Sequence, residues 1–311
     1  MQFSNGKRYN DFSSFAKLKF GERVQKVSLN TGFTCPNRDG TKGVGGCTYC
    51  NNNTFSPNYC KAEYSIPEQL DEGIRFFSRK NKTQKYLAYF QAYTNTYADI
   101  RLVKELYSQA ISHPEVVGLV IGTRPDCVNE EIINFLSEIA QHYFVSLEFG
   151  VESTLNRTLE SINRCHTYEE SIAAFELAKN RGIHLGAHII MGLPGESRNE
   201  MLNHGIELSK LPIQSLKIHQ LQIVKNTVMA IQYKKEPEQF QLFSVNEYID
   251  FLTSFIASLR PDIIIERFIS ESPPHLLIAP QWGLKNFEMV EKVNNRLIEK
   301  QTWQGKNYKA I

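Results

Sequence analysis

Three cysteines in one short, glycine-rich segment are the residues of this chain best suited to chemistry. Cys35, Cys47 and Cys50 form a C-x11-C-x2-C pattern within residues 32–51. Three thiolates can hold three irons of a cubane cluster and leave the fourth iron open to a further ligand. The glycines let the backbone wrap closely around such a bulky group. The pattern therefore predicts a [4Fe–4S] site with these three cysteines as its ligands.

A structural zinc site is the alternative that the spacing leaves open. Such sites usually close with four ligands, often as two paired knuckles. The segment has one C-x2-C pair, and Cys60, the candidate fourth ligand, has no second pair beside it. On that alternative the protein is a zinc-stabilised nucleic-acid-binding module without turnover. Cys127 and Cys165 are interpreted as structural thiols, since free cysteines often behave as small apolar residues.

Composition and termini indicate a folded protein of a reducing compartment. The chain has 311 residues, of which 41% are hydrophobic and 11% aromatic, so global disorder is excluded. Its net charge of +2 neither demands nor excludes a nucleic-acid partner. The N-terminus lacks the apolar run of a signal peptide, and the longest apolar stretch, residues 116–122, is too short to span a bilayer. We therefore expect a cytoplasmic protein with no membrane partner.

The elements that must position the cysteines are alternating strands and helices. Capping residues Ser65, Asn129 and Thr167 begin amphipathic helices. Between the helices, apolar, β-rich runs lie near residues 26–31, 86–93, 116–122, 144–151, 184–191 and 215–224. This alternation predicts right-handed βαβ units and a parallel sheet. Six units favour an α/β fold with a partial (β/α)6 TIM-like barrel, although a doubly wound sheet fits the same pattern.

The predicted organisation has three parts. Residues 1–25 form an N-terminal cap, residues 26–240 the barrel core, and residues 241–311 a C-terminal α/β extension packed on it. The extension departs from the alternation and contains an apolar strand at 262–267. The cysteine segment directly follows the first strand, and loops at the carboxyl ends of parallel barrel strands are where such folds place active sites.

Further short motifs follow the predicted strands. They read GTRPD at 122–126, EFGVES at 148–153, GLPGE at 192–196 and HQL at 219–221. Together with TCPNRDG at 34–40, these motifs resemble the radical S-adenosylmethionine (SAM) superfamily, and within it a bacterial family labelled YhcC or YtqA-like. The same core is similar to the radical SAM domain of the Elongator catalytic subunit.

The resemblance implies a partial barrel with SAM across its top and a [4Fe–4S] cluster on the cysteine loop. It also implies an external one-electron donor, of flavodoxin or ferredoxin type, that reduces the cluster. Reductive cleavage of SAM then yields a 5′-deoxyadenosyl radical, which abstracts hydrogen from an unactivated C–H bond. The cofactors supply this chemistry, and the protein supplies binding and orientation.

The superfamily's SAM contacts can be carried over to matching positions. Glu152, after a Gly-Val pair, corresponds to a residue that binds the ribose, and Arg164, twelve positions later, to the arginine that pairs with the SAM carboxylate. His188 corresponds to a second ribose contact, and the backbone of Ile190 and Leu221 to the frame of the adenine. By residue type alone, Arg164 is more typical of a solvated charge and His188 of a satisfied core histidine.

One segment departs from the superfamily pattern. Where other members have a glycine-rich turn that grips the SAM amino group, this chain has QAYTNT at 91–96. The backbone carbonyls of Ala92 and Tyr93 are the expected replacement.

Two further expectations come from residue types alone. Glu148 and Glu152 point to the same side of one strand, and two carboxylates in an apolar strand favour a ligand-facing role. Arg124 and Asp126 are expected to pair with each other.

The likeness to the Elongator subunit implies tRNA as substrate, with remodelling of a wobble-uridine side chain. Basic residues near aromatic ones are compatible with RNA contacts. They are Arg79, Lys80, Lys82 and Lys85; Lys225, Lys234 and Lys235; and Arg296, Lys300, Lys306 and Lys309. Such runs are more often solvated helix faces. A small metabolite or peptide held within the barrel mouth is the alternative substrate.

Overall fold

Strands and helices alternate along the chain, as the sequence predicts. The structure is a computed structural model that describes residue 3 and residues 6–54, 56–79 and 84–309. The strands are β1 (Val24–Leu29), β2 (Lys85–Phe90), β3 (Val116–Thr123), β4 (Phe144–Glu152), β5 (His184–Met191), β6 (Ser215–Gln220), β7 (Ile223–Val224), β8 (Ile264–Arg267) and β9 (Leu277–Ala279). The helices are α1 (Phe12–Phe20), α2 (Ile66–Ser78), α3 (Ile100–Ile111), α4 (Glu130–Ala140), α5 (Asn156–Ser161), α6 (Tyr168–Ala178), α7 (Arg198–Lys210), α8 (Val228–Lys235), α9 (Val245–Ser258) and α10 (Asn286–Glu299). None of the helices in the described ranges is long and apolar enough to cross a membrane.

Seven strands form one parallel sheet in the order β1-β2-β3-β4-β5-β6-β8. The first six follow chain order, which is the topology of successive βαβ units. The sheet curls into a half-barrel with helices on its outside, and this confirms the predicted partial TIM-like barrel. In such a barrel all carboxyl ends of the strands meet at one rim.

Side-chain caps begin the predicted helices where the sequence places them. Ser65 and Thr167 each accept from a backbone amide of the first turn and complete a capping box. Asn129 accepts from the amide of Ile132. The apolar side of α2, including Leu70, is buried against the sheet, since apolar residues recur there at helical spacing.

Three strands end earlier than predicted, and β1 does so by two residues, at Leu29. β2 stops at Phe90, and Tyr93 has φ of 60°, a left-handed conformation that does not continue a strand. The predicted strand 215–224 is two strands, because β6 ends at Gln220 and β7 pairs antiparallel with β9. At the break, the Gln220 side chain accepts from the Ser270 amide at 2.7 Å and donates to its carbonyl at 3.1 Å.

The N-terminal segment and the C-terminal extension meet at the open side of the half-barrel. The predicted strand at 262–267 forms β8, which pairs in parallel with β6. Asp11, before α1, makes a parallel bridge to Ile265 in β8. Residues 1, 2, 4 and 5 of the predicted cap lie outside the described residues, and the boundaries at residues 25 and 240 stay predictions.

Candidate active site

The carboxyl ends of the sheet strands surround one cavity of about 1290 Å³, including its open mouth. The three predicted cluster ligands and most predicted SAM contacts line it: Cys35, Cys47, Cys50, Tyr93, Glu152, Arg164, His188, Ile190 and Leu221. Ala92 is buried next to Tyr93, with 6% of its surface exposed, and is not part of this lining. The fold thus gathers residues that are far apart in the sequence around one space.

Asn37 lies between two of the thiols. Its Oδ1 accepts from Cys35 Sγ at 3.0 Å, and its Nδ2 donates to Cys47 Sγ at 3.4 Å. The Thr94 hydroxyl donates to Cys35 Sγ at 3.2 Å. All six cysteines of the chain are free thiols. Hydrogen-bond donors beside sulfur suit thiolates that bind a metal cluster.

The third thiol, Cys50, is connected to the segment after β2. Asn52 Nδ2 donates to Cys50 Sγ at 3.6 Å, and Asn52 Oδ1 accepts from the Tyr93 amide at 3.2 Å. Burial raises the pKa of the Cys50 thiol, and the neighbouring Cys47 raises it further. Both effects oppose thiolate formation unless a positive charge such as bound iron compensates for them.

Two glycines allow the cysteine loop to fold tightly. At Gly46, where φ is +78°, an added Cβ would lie 2.8 Å from Arg38 Nε. At Gly43 an added Cβ would lie 2.8 Å from Cys165 Sγ. At Gly46 the positive φ makes a larger residue strained, and at Gly43 a larger residue would displace Cys165.

Arg164 lies between the cysteine loop and the end of β4. Its Nη2 donates to the Gly150 carbonyl at 2.7 Å, its Nη1 lies 3.5 Å from Cys47 Sγ, and its Nε lies 2.9 Å from His166 Nε2. Burial works against the charge, but the acidic groups around Arg164 raise its pKa well above the usual value. The side chain is only 7% exposed, so Arg164 is not a solvated charge.

Arg124 and Asp126 pair, as predicted, and Arg124 also bonds to the backbone of Arg164. Arg124 Nε and Nη2 donate to the two carboxylate oxygens of Asp126 at 2.9 and 2.8 Å. Its Nη1 donates to the Arg164 carbonyl at 2.7 Å. Burial works to raise the pKa of Asp126, but the Arg124 guanidinium lowers it to about 2.

Buried charges form the floor of the cavity. Glu148 Oε2 lies 2.5 Å from Lys217 Nζ and 3.1 Å from His188 Nε2, and Glu148 Oε1 lies 3.0 Å from Lys26 Nζ. Lys26 also pairs with Glu266 of β8 at 2.5 Å. Glu148 therefore faces the cavity, as expected, while its oxygens are held by cations of the protein itself.

Several polar residues of the site were not predicted from the sequence. Asn37 and Asn52 each follow a cysteine by two positions, so their proximity to the sulfurs has a local signal in the sequence. Thr94 lies 59 positions from Cys35 and carries no comparable signal. Lys217 and His219 are two positions apart in β6, so their side chains point to the same side of the sheet. This spacing predicts the direction of the Lys217 side chain but not its partner, Glu148.

The chain matches two family models, the Radical SAM superfamily over residues 30–205 and the Radical_SAM C-terminal domain over residues 213–299. It is 33% identical to the uncharacterized protein YtqA of Bacillus subtilis, over 98% of this chain and 94% of that protein. It is 36% identical to protein YhcC of Escherichia coli, over 89% and 88%. A tRNA uridine(34) acetyltransferase of Methanocaldococcus jannaschii is 27% identical over 57% of this chain and 32% of its own length.

Among solved structures, the archaeal Methanocaldococcus infernus Elp3 without its N-terminal residues has a similar fold. The TM-score is 0.70 at 17% identity, over 90% of this chain and 64% of that chain. At this identity the likeness concerns the fold alone.

The two family models place this half-barrel, with its thiol-lined cavity at the carboxyl rim of the sheet, in a class of enzymes that work through a bound iron–sulfur cofactor. The chain belongs to the radical SAM superfamily and, within it, to the family that includes YhcC and YtqA. Its cofactors are a [4Fe–4S] cluster and SAM. In the part of the chain that the structure describes, no three His, Cys, Asp or Glu side chains are arranged to hold a single metal ion.

Proposed function

We propose that Cys35, Cys47 and Cys50 hold the cluster and that SAM binds beside it, with Arg164 facing its carboxylate and Glu152 its ribose. The observation that carries this proposal is the shared cavity, where three free thiols, a buried arginine and a carboxylate face one space. When bound, the two cofactors supply a 5′-deoxyadenosyl radical, which abstracts hydrogen from a substrate C–H bond.

The chain's own residues suit this pair of cofactors. Thr94, Asn37 and Asn52 contact the thiol sulfurs and can orient them and tune a bound cluster. Arg164 is buried and charged, so a carboxylate beside it forms a charge-assisted pair that water screens only weakly. The remaining proposed SAM contacts are His188 and the backbone of Ala92, Tyr93, Ile190 and Leu221.

We further propose that a flavodoxin- or ferredoxin-like donor of the cytoplasm delivers the electron through the cysteine loop. Val44 of this loop is 75% exposed, and Thr41 and Lys42 of the same loop are exposed as well. Cys47, three residues after Val44, is buried. The loop is therefore one part of the proposed cluster environment that an external protein can approach.

As the substrate we propose tRNA, with a wobble-uridine side chain as the reacting group. The support is the partial similarity to a tRNA uridine(34) acetyltransferase and the position of one basic surface. Lys225, Lys234 and Lys235, here called the mouth lysines, are exposed on β7–α8. Val224 of β7 lines the cavity, and the Lys225 carbonyl accepts from Asn51 of the cysteine loop at 2.9 Å. Lys225 therefore lies beside the cavity entrance, and Lys234 and Lys235 lie at the end of α8, the helix that follows it. Exposed lysines of this kind can neutralise phosphates.

The other two basic runs are placed less favourably. Lys85 begins β2, at the rim of the sheet opposite the cavity, and Lys80 and Lys82 lie outside the described residues. Arg296 and Lys300 both contact the carboxylate of Asp250, so their charge is partly neutralised.

The cofactor part of the proposal is tested by metal and product analysis. Anaerobically reconstituted protein should hold about four irons and four sulfides, as a [4Fe–4S] cluster requires, and should form 5′-deoxyadenosine from SAM with a strong reductant. Replacing Cys35, Cys47 and Cys50 together by Ala should abolish both, while Cys60→Ala, a matched buried thiol, should retain both. Iron retained by the triple variant, or stoichiometric zinc that iron cannot replace, would contradict the proposal.

The substrate part is tested by nucleoside analysis of tRNA from a deletion strain. An altered wobble uridine that returns to normal with the wild-type gene, but not with the triple cysteine variant, is the expected result. Unchanged nucleosides under conditions of normal expression would remove tRNA and favour the small metabolite or peptide.

A further inference from the structure

We propose that Glu196 and His204, which lie outside the cavity, are positioning residues that hold Glu152 in the conformation facing SAM. This inference rests on the SAM site proposed above. Both side chains are almost fully buried, with 3% and 0% exposure, and neither lines the cavity. A buried carboxylate and imidazole are costly unless they are well bonded, and a fully bonded buried network fixes one local conformation.

Glu152 needs such support because its backbone is unusual. Its φ is +66°, in the left-handed region that residues other than glycine seldom adopt. The pairing of β4 with β5 shifts register between Gly150 and Glu152, and the Ser153 amide donates to the Val151 carbonyl at 2.8 Å. A conformation of this kind persists only where the surrounding structure fixes it.

The network fixes the two residues that follow Glu152. Ser153 Oγ donates to Glu196 Oε1 at 2.5 Å, and Thr154 Oγ1 lies 2.7 Å from His204 Nδ1. His204 Nε2 lies 3.1 Å from Glu196 Oε2, which closes the connection. Glu196 belongs to the loop after β5 and His204 to α7, so the turn at the end of β4 is held from two neighbouring elements.

The position of Glu152 matters because the space around its carboxylate is tight. Its Oε1 lies 3.6 Å from Arg164 Nη2. An added Cβ at Gly150 would lie 2.5 Å from Glu152 Oε1 and 2.6 Å from Arg164 Nη2. Rotation of the turn would therefore move the carboxylate away from both Arg164 and the proposed ribose position.

The test measures the SAM dissociation constant of cluster-loaded variants with equal iron content. Ser153→Ala and Glu196→Ala should each raise the dissociation constant about tenfold, which corresponds to about 1.4 kcal/mol. They should also weaken the change that SAM causes in the electron paramagnetic resonance spectrum of the reduced cluster. Glu196→Gln keeps the shape and an acceptor for Ser153, so it should restore most of the affinity.

A matched control comes from the same helix. Ser209 of α7 is buried and accepts from the Arg260 amide at 2.9 Å, but it does not contact the turn. Ser209→Ala removes a comparable buried hydrogen bond and should leave SAM affinity unchanged. If Glu196→Ala does not fold, the SAM dissociation constants of Ser153→Ala and Glu196→Gln are compared with those of the wild type and Ser209→Ala instead.

A double substitution separates positioning from general destabilisation. Glu152→Ala should itself weaken SAM binding, and adding Ser153→Ala should then have no further effect, since the network acts through Glu152. Independent effects that multiply in the double variant would overturn the inference, as would wild-type affinity in both Ser153→Ala and Glu196→Ala. If the wild-type protein binds no SAM, the proposed function fails and the inference with it. If the wild-type protein binds SAM and the network variants bind it equally well, the inference alone fails.

Discussion

At the scale of single residues, Arg164 has the most demanding position in the cavity. Its guanidinium donates to the Gly150 carbonyl and lies beside the Cys47 thiol and the Glu152 carboxylate. These three groups belong to the cysteine loop and to the end of β4, so one side chain connects the proposed cluster site with the proposed SAM site.

Arg164→Ala is therefore expected to weaken SAM binding by about 1.5–3 kcal/mol, the usual contribution of a hydrogen bond to a charged group. Arg164→Lys keeps the positive charge but loses the planar guanidinium that can form two hydrogen bonds to one carboxylate. This variant should bind SAM with intermediate affinity. Titration calorimetry at equal cluster content measures both. SAM affinity that does not change in Arg164→Ala would show that the carboxylate binds elsewhere.

Two of the cysteines outside the triad, Cys60 and Cys127, have the properties of inert thiols. Burial raises the pKa of Cys60 to about 12, and burial followed by the charge of Asp126 raises the pKa of Cys127 to about 12. Neither residue lines the cavity in which the triad lies. This agrees with the interpretation of Cys127 as a structural thiol and disfavours Cys60 as a fourth ligand.

At the scale of elements, the segment β7–α8 has a different role from the one its sequence suggests. An apolar run from 215 to 224 predicts one strand, but the chain turns at Leu221, which lines the cavity. The turn places α8 beside the cysteine loop, where the Met229 amide donates to the Thr48 carbonyl at 2.9 Å. The end of one strand thereby becomes the rim of the cavity.

Replacing Lys225, Lys234 and Lys235 together by Ala is expected to weaken tRNA binding and its dependence on salt. The slope of log affinity against log salt should fall by roughly 2–3, since each lost phosphate contact contributes roughly 0.7–0.9. Filter binding at several salt concentrations measures this, and SAM affinity should not change.

Lys17, Lys19 and Lys104 provide the control for this experiment. They are exposed like the mouth lysines but belong to α1 and α3 and not to β7–α8. Their triple replacement by Ala has the same change in net charge and should leave most of the salt dependence in place. An equal loss of salt dependence in the two triple variants would mean that tRNA binding depends on the overall charge of the protein and not on the mouth lysines.

At the scale of the whole molecule, the open side of the half-barrel is closed by apolar and ionic contacts. Lys26 of β1 pairs with Glu148 of β4 and Glu266 of β8. Nearby, the His184 ring packs against Phe15 of α1, with ring centres 5.2 Å apart. His184 Nε2 is buried and has no hydrogen-bond partner among the described residues. A charged imidazole is therefore unfavourable at this position.

This environment predicts a loss of stability in mild acid. Burial, followed by the charges of Lys26 and Lys19 and opposed by Glu266 and Glu148, lowers the pKa of His184 from 6.5 to about 4. Below pH 6.5 the unfolded chain takes up a proton that the folded chain accepts only near pH 4. The contribution of His184 is thus complete above pH 6.5 and lost as the pH falls towards 4, by at most about 3 kcal/mol, since one pKa unit corresponds to about 1.4 kcal/mol.

Urea unfolding of cluster-free protein between pH 4.5 and 7 measures this effect. His184→Phe removes the titrating group but keeps the aromatic packing, so its free energy of unfolding should vary less with pH than that of the wild type. His142→Phe, at an exposed position, should keep the wild-type dependence. An unchanged dependence in His184→Phe would assign the acid sensitivity to other groups. One candidate is His166, whose pKa is lowered to about 3 by burial and by Arg164.

Local signals in the sequence determined the fold class and the cysteine triad. The three cysteines lie within 16 consecutive residues. Capping residues and apolar periodicity predict the helices. Both features can be recognised from residues that are neighbours along the chain. The partial barrel followed because alternating strands and helices have few ways to bury their apolar faces. The SAM contacts came from family resemblance, and their roles stay predictions.

Only the tertiary structure decided which distant groups meet. Thr94 and Arg164 reach the thiols from other elements, Lys26 and Lys217 hold Glu148 from two different strands, and β8 joins the sheet from beyond the predicted core. These contacts depend on how the sheet curls and on where each strand ends. Periodicity gives the direction of a side chain but not its partner, because the partner is set by packing between segments that are remote in the sequence.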